Sequence, residues 1–352
     1  MTDFSIDTFR ILDAASNRTR EGLRVIEDFV RFQRNDGLLS RILKELRHDL
    51  AAIVAELPSN SLLAARDTLQ DVGTEISTVA EYQRSSAADV VCAAFKRTQE
   101  ATRTLEEYSK IVAPQLASRF EQLRYRLYTA EKAVLRLESA INRLRDQQLY
   151  LLVTAEQCTV GFEALVKSAL DAGVSLFQLR EKSLTDRELL RQAEKLRRWT
   201  REANALLIIN DRPDMTVLCG ADGVHVGQEE LQVQDVRRIV GPEAIIGVST
   251  HSVDQARQAV LEGADYLGVG PTFPSGTKSF TEFPGLPFVG QVSSEITLPW
   301  FAIGGIELGN VNQVVAAGAS RIAVSGVICR SSAPAAAARQ LITALNAPPV
   351  DG

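Results

Sequence analysis

After Gln147-Gln148 the hydrophobic pattern of the chain changes period, and this change constrains the fold more than any other feature. Eight short apolar runs follow, at 149–154, 176–180, 206–209, 223–226, 245–249, 266–270, 300–303 and 321–325. Runs this short and this continuously apolar read as strands buried on both faces, the pattern of a parallel sheet. The gaps between them carry amphipathic stretches with helical spacing, such as 161–172 and 186–203. Eight β–α units in about 200 residues predict a (β/α)8 TIM barrel at the small end of that fold. A doubly wound open sheet is the alternative, and nothing in that fold requires a regular eightfold count.

The first half reads differently. From 7 to 147 glycines are few, there are two prolines, and Leu, Ala, Arg and Glu dominate, which predicts helices. Ile11, Leu12, Ala15, Ile26, Phe29 and Val30 fall on one helical stripe, and Asn17, Arg20, Glu21, Arg24, Glu27, Asp28 and Arg31 on another. Residues 14–29 align with 93–108: Arg18 with Arg97, Glu21 with Glu100, Arg24 with Arg103, Glu27 with Glu106. Leu46-Arg47-His48 aligns with Leu123-Arg124-Tyr125 at nearly the same offset. An internally duplicated all-α domain is expected, each half a helical hairpin. Repetition of charged residues that packing does not demand points to a polar site between the halves. The stretch 65–74, with Arg66, Asp67 and Asp71, reads either as a loop for a metal-bound phosphate or as helix caps. The expected domains are 1–145, helical, and 146–347, barrel.

In such a barrel the chemistry sits at the C-terminal strand ends. Run two ends in Gln178-Leu179-Arg180-Glu181-Lys182, where alternation puts Gln178, Arg180 and Lys182 inward and Phe177 and Leu179 against helices. Two cations facing a core are costly unless an anion neutralises them. Run three delivers Asn210 and Asp211, run four adds carboxylates at Glu229 and Glu230, and run five ends in Ser249-Thr250-His251. Run six passes Gly270-Pro271 into a loop with Ser275, Gly276, Thr277 and Lys278, short donors and one point charge of the kind a phosphate needs. Taken alone that loop is equally a polar surface loop, and it is not a P-loop, whose Gly-Lys-Ser/Thr opens a helix. Runs seven and eight end in Gly304-Gly305 and Ser325-Gly326, which expose backbone N–H groups where barrels bind phosphate. Two anion sites therefore face each other across the mouth, with two carboxylates suited to Mg2+ bridging phosphates. His225 and His251 read singly as packing or supporting residues.

The ordered set Gln178–Lys182, Asn210-Asp211, 223–228, 247–251, 263–278 and 302–306 resembles the thiamine-phosphate synthase (thiamine-phosphate pyrophosphorylase) family along nearly the whole second half. The resemblance implies a Mg2+-dependent transferase of thiamine biosynthesis. It would condense 4-amino-2-methyl-5-hydroxymethylpyrimidine diphosphate with 4-methyl-5-(2-phosphooxyethyl)thiazole, releasing pyrophosphate from the pyrimidine CH2. It implies that Gln178, Leu179, Arg180, Glu181, Lys182, Asn210, Ser249 and Lys278 hold the pyrimidine diphosphate, with Arg180, Lys182, Lys278 and Ser249 catalytic. Ser275, Gly276, Thr277, Gly305, Ser325 and Gly326 would hold the thiazole phosphate, and Asp211 and Glu230 the metal. The family usually shows Gln-Glu-Asp where this chain has Gln228-Glu229-Glu230, so Glu230 is one methylene longer than the usual second ligand.

A thiazole tautomerase-like relative and a non-catalytic phosphate-binding regulator are the alternatives. The helical half resembles an amino-terminal domain fused to some bacterial members, through 17–28 and Ala65-Arg66-Asp67-Thr68. That domain is associated with phosphorylating the pyrimidine monophosphate, so the expectation is a kinase or, alternatively, a scaffold. A net charge of -5 argues against bulk nucleic-acid binding. Cys92, Cys158, Cys219 and Cys329 lack metal or disulfide spacing. With no basic leader at Met1 and no apolar run of membrane length, the expectation is a cytoplasmic protein with small-molecule substrates and no membrane partner. Homo-oligomerisation is left open.

Overall fold

Continuous runs of Leu, Ile and Val can satisfy their backbone only by pairing on both sides, and that is what the second half does. The structure, a computed structural model, describes residues 6–68, 71, 83–274 and 283–347. The chain divides into two compact units, Met1–Glu138 and Ser139–Gly352.

In the second unit the strands are β1 (Leu149–Val153), β2 (Leu176–Leu179), β3 (Leu206–Asn210), β4 (Gly223–Val226), β5 (Ile245–Thr250), β6 (Tyr266–Val269), β7 (Trp300–Ile303) and β8 (Ile322–Val324). Each pairs in parallel with its sequence neighbours, and β8 closes on β1 with Tyr150 opposite Ala323. The (β/α)8 barrel is therefore present, and the open-sheet alternative is excluded. The interior is filled by Tyr150, Leu152, Leu176, Ile208, Ile245, Tyr266, Phe301 and Ala323, with Leu144. Asp222 and Asp265, just before β4 and β6, brace the N-terminal strand ends. Arg197 pairs with Asp222 through 2.7 and 3.0 Å bonds, and Arg237 donates to Asp265 at 2.6 Å. The same two carboxylates also accept from Leu207 N and Ile246 N, each at 2.8 Å, so each ties a helix to a neighbouring strand.

The first unit is helical: α1 (Ile6–Phe29), α2 (Gly37–Val54), α3 (Ser59–Ala64), α4 (Ala87–Val112) and α5 (Ala117–Arg143), the last running past Glu138. The helices of the second unit are α6 (Phe162–Asp171), α7 (Asp186–Glu202), α8 (Pro213–Cys219), α9 (Val233–Val240), α10 (Val253–Glu262), α11 (Gly285–Glu295), α12 (Val311–Ala316), α13 (Gly326–Cys329) and α14 (Pro334–Asn346). Asp36 and Ser86 cap α2 and α4, accepting from Leu39 N at 2.7 Å and Asp89 N at 3.1 Å. The two repeats pack through small residues of α1 and α4. A Cβ on Gly22 would lie 2.1 Å from Thr98 Oγ1, so the close approach requires glycine there.

One matched pair of the repeated charges is engaged inside the hairpins. Arg47 Nε donates to Glu27 Oε2 at 2.9 Å, and Arg124 Nε donates to Glu106 Oε2 at 2.9 Å. Arg24 and Arg103 flank the same two glutamates. Glu27 and Glu106 tie α1 to α2 and α4 to α5 inside each hairpin, because they are buried and cannot stand unpaired. Arg66 makes a two-pronged pair with buried Asp13, through 2.7 and 2.8 Å bonds, and Arg10 donates to the Asp67 carbonyl at 2.8 Å. Much of the 65–74 stretch lies outside the described residues. Among the described residues no helix is long and apolar enough to cross a membrane, and all four cysteines are free.

Candidate active site

Strand alternation aims every second side chain into the barrel, and at the C-terminal ends those side chains surround a cavity of about 580 Å³. That volume lies within the usual range for a small-molecule site.

From β2 the inward series is Gln178, Arg180 and Lys182, and all three line the cavity. Leu179 and Glu181, placed with the same ligand from sequence, do not. Leu179 is buried on the opposite face of β2. Glu181 Oε1 instead accepts from Ala155 N at 2.6 Å and Gln192 Nε2 at 2.9 Å, and burial pushes its carboxyl above the usual range.

From β3 come Asn210 and Asp211. Asp211 sits at φ 60°, a left-handed conformation that Asp tolerates better than most residues. Its N–H donates to the His225 carbonyl at 2.8 Å, and Asn210 Nδ2 donates to its Oδ2 at 2.5 Å. Glu230 reaches the same cavity from beyond β4. A Cβ on Gly227 would lie 2.4 Å from Glu230 Oε2, so the glycine lets this longer carboxylate fold back over the strand end. Burial first, and then the charge of Glu230, raise the Asp211 carboxyl, against the opposing effects of Asn210, Lys182 and Arg180. Two oxygen-donor carboxylates close enough to repel form a donor set that fits Mg2+, which takes one or two carboxylates plus substrate phosphates. Among the described residues no group of three or more His, Cys, Asp or Glu could hold a metal.

Across the barrel, β7 and β8 present backbone. Gly304 and Gly305 have φ 100° and 63°. A Cβ on Gly304 would meet Pro271 at 2.7 Å, and one on Gly305 would meet the Pro274 carbonyl oxygen at 2.7 Å. Asn310 Nδ2 fixes the turn by donating to the Gly305 carbonyl at 2.8 Å. Ser325 and Gly326 complete this wall of the cavity.

Arg330, one turn on, was missed by the sequence reading. A Cβ on Gly326 would lie 3.8 Å from its Nε, so the guanidinium covers that glycine and lines the cavity. The available signal was a cation five residues after Ser325. Among the described residues the side chains of Arg180, Lys182 and Arg330 make no hydrogen bond or ion pair. Ser275, Gly276, Thr277 and Lys278 lie outside the described residues.

Beneath the rim a polar network crosses the barrel floor. Gln178 Nε2 donates to Tyr150 Oη at 2.6 Å, Tyr150 Oη meets Tyr266 Oη at 2.8 Å, and Tyr266 Oη lies 3.0 Å from His225 Nδ1. His225 Nε2 lies 2.8 Å from Ser249 Oγ. Burial raises both phenols well above their ordinary value, so they remain O–H groups. His251 Nδ1 binds the Gly270 carbonyl at 2.6 Å and supports the end of β6, as a packing histidine would.

Comparison with known proteins agrees with this geometry. Residues 149–328 match the family described as Thiamine monophosphate synthase, and residues 10–133 match the ThiD2 family. A thiamine-phosphate synthase of Rhodopirellula baltica is 46% identical over 91% of this chain and 88% of its own length. One of Gloeobacter violaceus is 43% identical over 96% of each chain. Among solved structures, a thiamine phosphate pyrophosphorylase from Pyrococcus furiosus superposes with a TM-score of 0.53 at 30% identity, covering 57% of this chain and 96% of its own.

Proposed function

The chain belongs to the thiamine-phosphate synthase family of transferases, and we propose that its cavity joins an aminopyrimidine diphosphate to a thiazole phosphate with Mg2+ bound. The observation that carries this reading is the set of cations without an ion pair among the described residues, and two carboxylates, facing an exposed-backbone wall across one cavity. Arg180 and Lys182, with Lys278 assigned from sequence, hold the diphosphate. Asn210 and Ser249 hold the pyrimidine end. Gly304, Gly305, Ser325, Gly326 and Arg330, with Ser275, Gly276 and Thr277 from sequence, hold the thiazole phosphate.

Asp211 and Glu230 would hold Mg2+, which when bound neutralises charge on the leaving pyrophosphate. The C–O bond at the pyrimidine CH2 breaks with its electron pair going to pyrophosphate, whose growing charge Arg180 and Lys182 offset. The aminopyrimidine stabilises the resulting benzylic-type cation. The thiazole nitrogen then donates its lone pair to the CH2, held in line by its distal phosphate, so positioning supplies much of the rate. No side-chain nucleophile takes part.

Incubating the full chain with both substrates and Mg2+ tests the reading. Equimolar thiamine phosphate and pyrophosphate are expected. Binding of the thiazole product alone would favour a tautomerase-like relative, and ligand binding without turnover a regulator. The helical unit fits a role in supplying the diphosphate. The full chain given ATP and the pyrimidine monophosphate then forms the diphosphate, and no product leaves a scaffold.

A further inference from the structure

We infer that the buried chain Gln178–Tyr150–Tyr266–His225–Ser249 is a polarity relay that fixes which hydrogen-bonding pattern the pocket shows to its heterocycle. This inference rests on the proposed pyrimidine site and names the residues that make that site selective. Tyr150 and Tyr266 are its positioning residues.

Polarity passes along the links one at a time. Gln178, 2% exposed, spends an Nε2 hydrogen on Tyr150 Oη. Tyr150 therefore gives its own hydrogen to Tyr266, and Tyr266 gives its hydrogen to His225 Nδ1. A neutral imidazole that accepts at Nδ1 carries its hydrogen on Nε2. That hydrogen goes to Ser249 Oγ, so the serine hydroxyl is left to donate into the cavity. At the other end Gln178 Oε1 takes no partner among the described residues and remains an acceptor. The pocket thus offers an acceptor at Gln178 and a donor at Ser249. A 4-aminopyrimidine carries the complement, an exocyclic N–H beside a ring-nitrogen lone pair. A 4-oxopyrimidine carries the reverse.

An isolated glutamine satisfies either ring by turning its amide over. Here the turn would require every link to reverse and His225 to change tautomer. The reversed chain would present a donor at Gln178 and lone pairs at Ser249, a mismatch to a 4-aminopyrimidine at both positions. Coupling across the barrel makes Gln178 and Ser249 change polarity together, so neither can adapt alone.

The barrel makes room for this chain in two places where a strand would otherwise carry a side chain. A Cβ on Gly247 would lie 2.0 Å from Tyr266 Cζ, and one on Gly268 would lie 3.3 Å from His225 Cε1. The tyrosine ring stands over the first glycine, and the imidazole edge lies against the second.

The test has two arms. Nitrogen NMR of the imidazoles, of which the chain has 3, reads the His225 tautomer directly. Hydrogen on Nε2 is expected, and hydrogen on Nδ1 overturns the relay. In the second arm Tyr266→Phe keeps the ring and cuts the relay in the middle. Its preference in kcat/KM for the 4-aminopyrimidine diphosphate over the 4-oxo analogue is expected to fall about tenfold, the worth of one or two hydrogen bonds. Tyr150→Phe cuts the next link and serves if the first variant melts early. A folded variant with undiminished preference overturns the inference. Wild-type protein that turns over neither diphosphate sinks the proposed function instead, and the tautomer still decides the relay.

Discussion

Asp211→Asn separates catalysis from stability in opposite directions. In the folded chain burial and the charge of Glu230 raise the Asp211 carboxyl. The folded state therefore binds that proton more tightly than the unfolded state, and stability falls as pH rises from the unfolded to the folded pKa. Once the pH exceeds both, the penalty is fully present. Asparagine removes it, so the metal-free variant is expected to melt above the wild type. The backbone sharpens the comparison. At φ 60° asparagine is tolerated as aspartate is, whereas alanine costs about 1–2 kcal/mol. Asp211→Ala should thus melt below Asp211→Asn by about 2–4 °C per kcal/mol. Catalysis moves the other way. Losing one of two carboxylates at a cation site is worth about 3–4 kcal/mol in the transition state, or ~10²–10³-fold in kcat. The assays are thermal melts with and without Mg2+ and pyrophosphate release. A variant that melts below wild type without metal, or one that keeps near-normal turnover, refutes the reasoning.

Three other perturbations follow from the packing. Gly247→Ala pushes a methyl group into the Tyr266 ring and should cost about 1–3 kcal/mol by overpacking, read as a lower melting temperature. Glu106→Gln leaves Arg124 buried without its counter-charge and should cost about 3 kcal/mol, with Glu27→Gln costing less because Arg47 is more exposed; equal and negligible effects in denaturant melts would contradict the pairing. Arg330→Ala should raise KM for the thiazole phosphate about tenfold while leaving KM for the pyrimidine diphosphate unchanged, which initial-rate kinetics resolve.

The barrel was legible because its strands are buried on both faces and read as uninterrupted apolar runs; each predicted run lies within two residues of its strand. The rim was legible for a related reason. Alternation alone put Gln178, Arg180 and Lys182 on one face, and the cavity receives all three. It also set Leu179 on the other, although the family resemblance grouped it and Glu181 with the ligand. The floor of the site was not legible. Tyr150 and Tyr266 are separated by 116 positions, and each reads locally as a strand-forming aromatic. Only closure of the barrel brings their hydroxyls together. In the helical unit repetition marked Glu27 and Glu106, but their burial, invisible in sequence, is what shows them holding hairpins.

The two ends of the barrel use the same residue types differently, and this contrast supports the proposed site independently of any resemblance. At the N-terminal strand ends Arg197 and Arg237 are paired with Asp222 and Asp265. Those carboxylates also accept backbone N–H groups, so these two ion pairs brace strands. At the C-terminal ends Arg180, Lys182 and Arg330 face the cavity without an ion pair among the described residues, although Asp211 and Glu230 line the same space. Chain stability alone would favour pairing them. Instead the carboxylates stand close enough to raise Asp211, a geometry unfavourable until a cation arrives. Cations without partners among the described residues and crowded carboxylates are each a cost to the empty protein, and an anion bound together with a metal ion would relieve both at once.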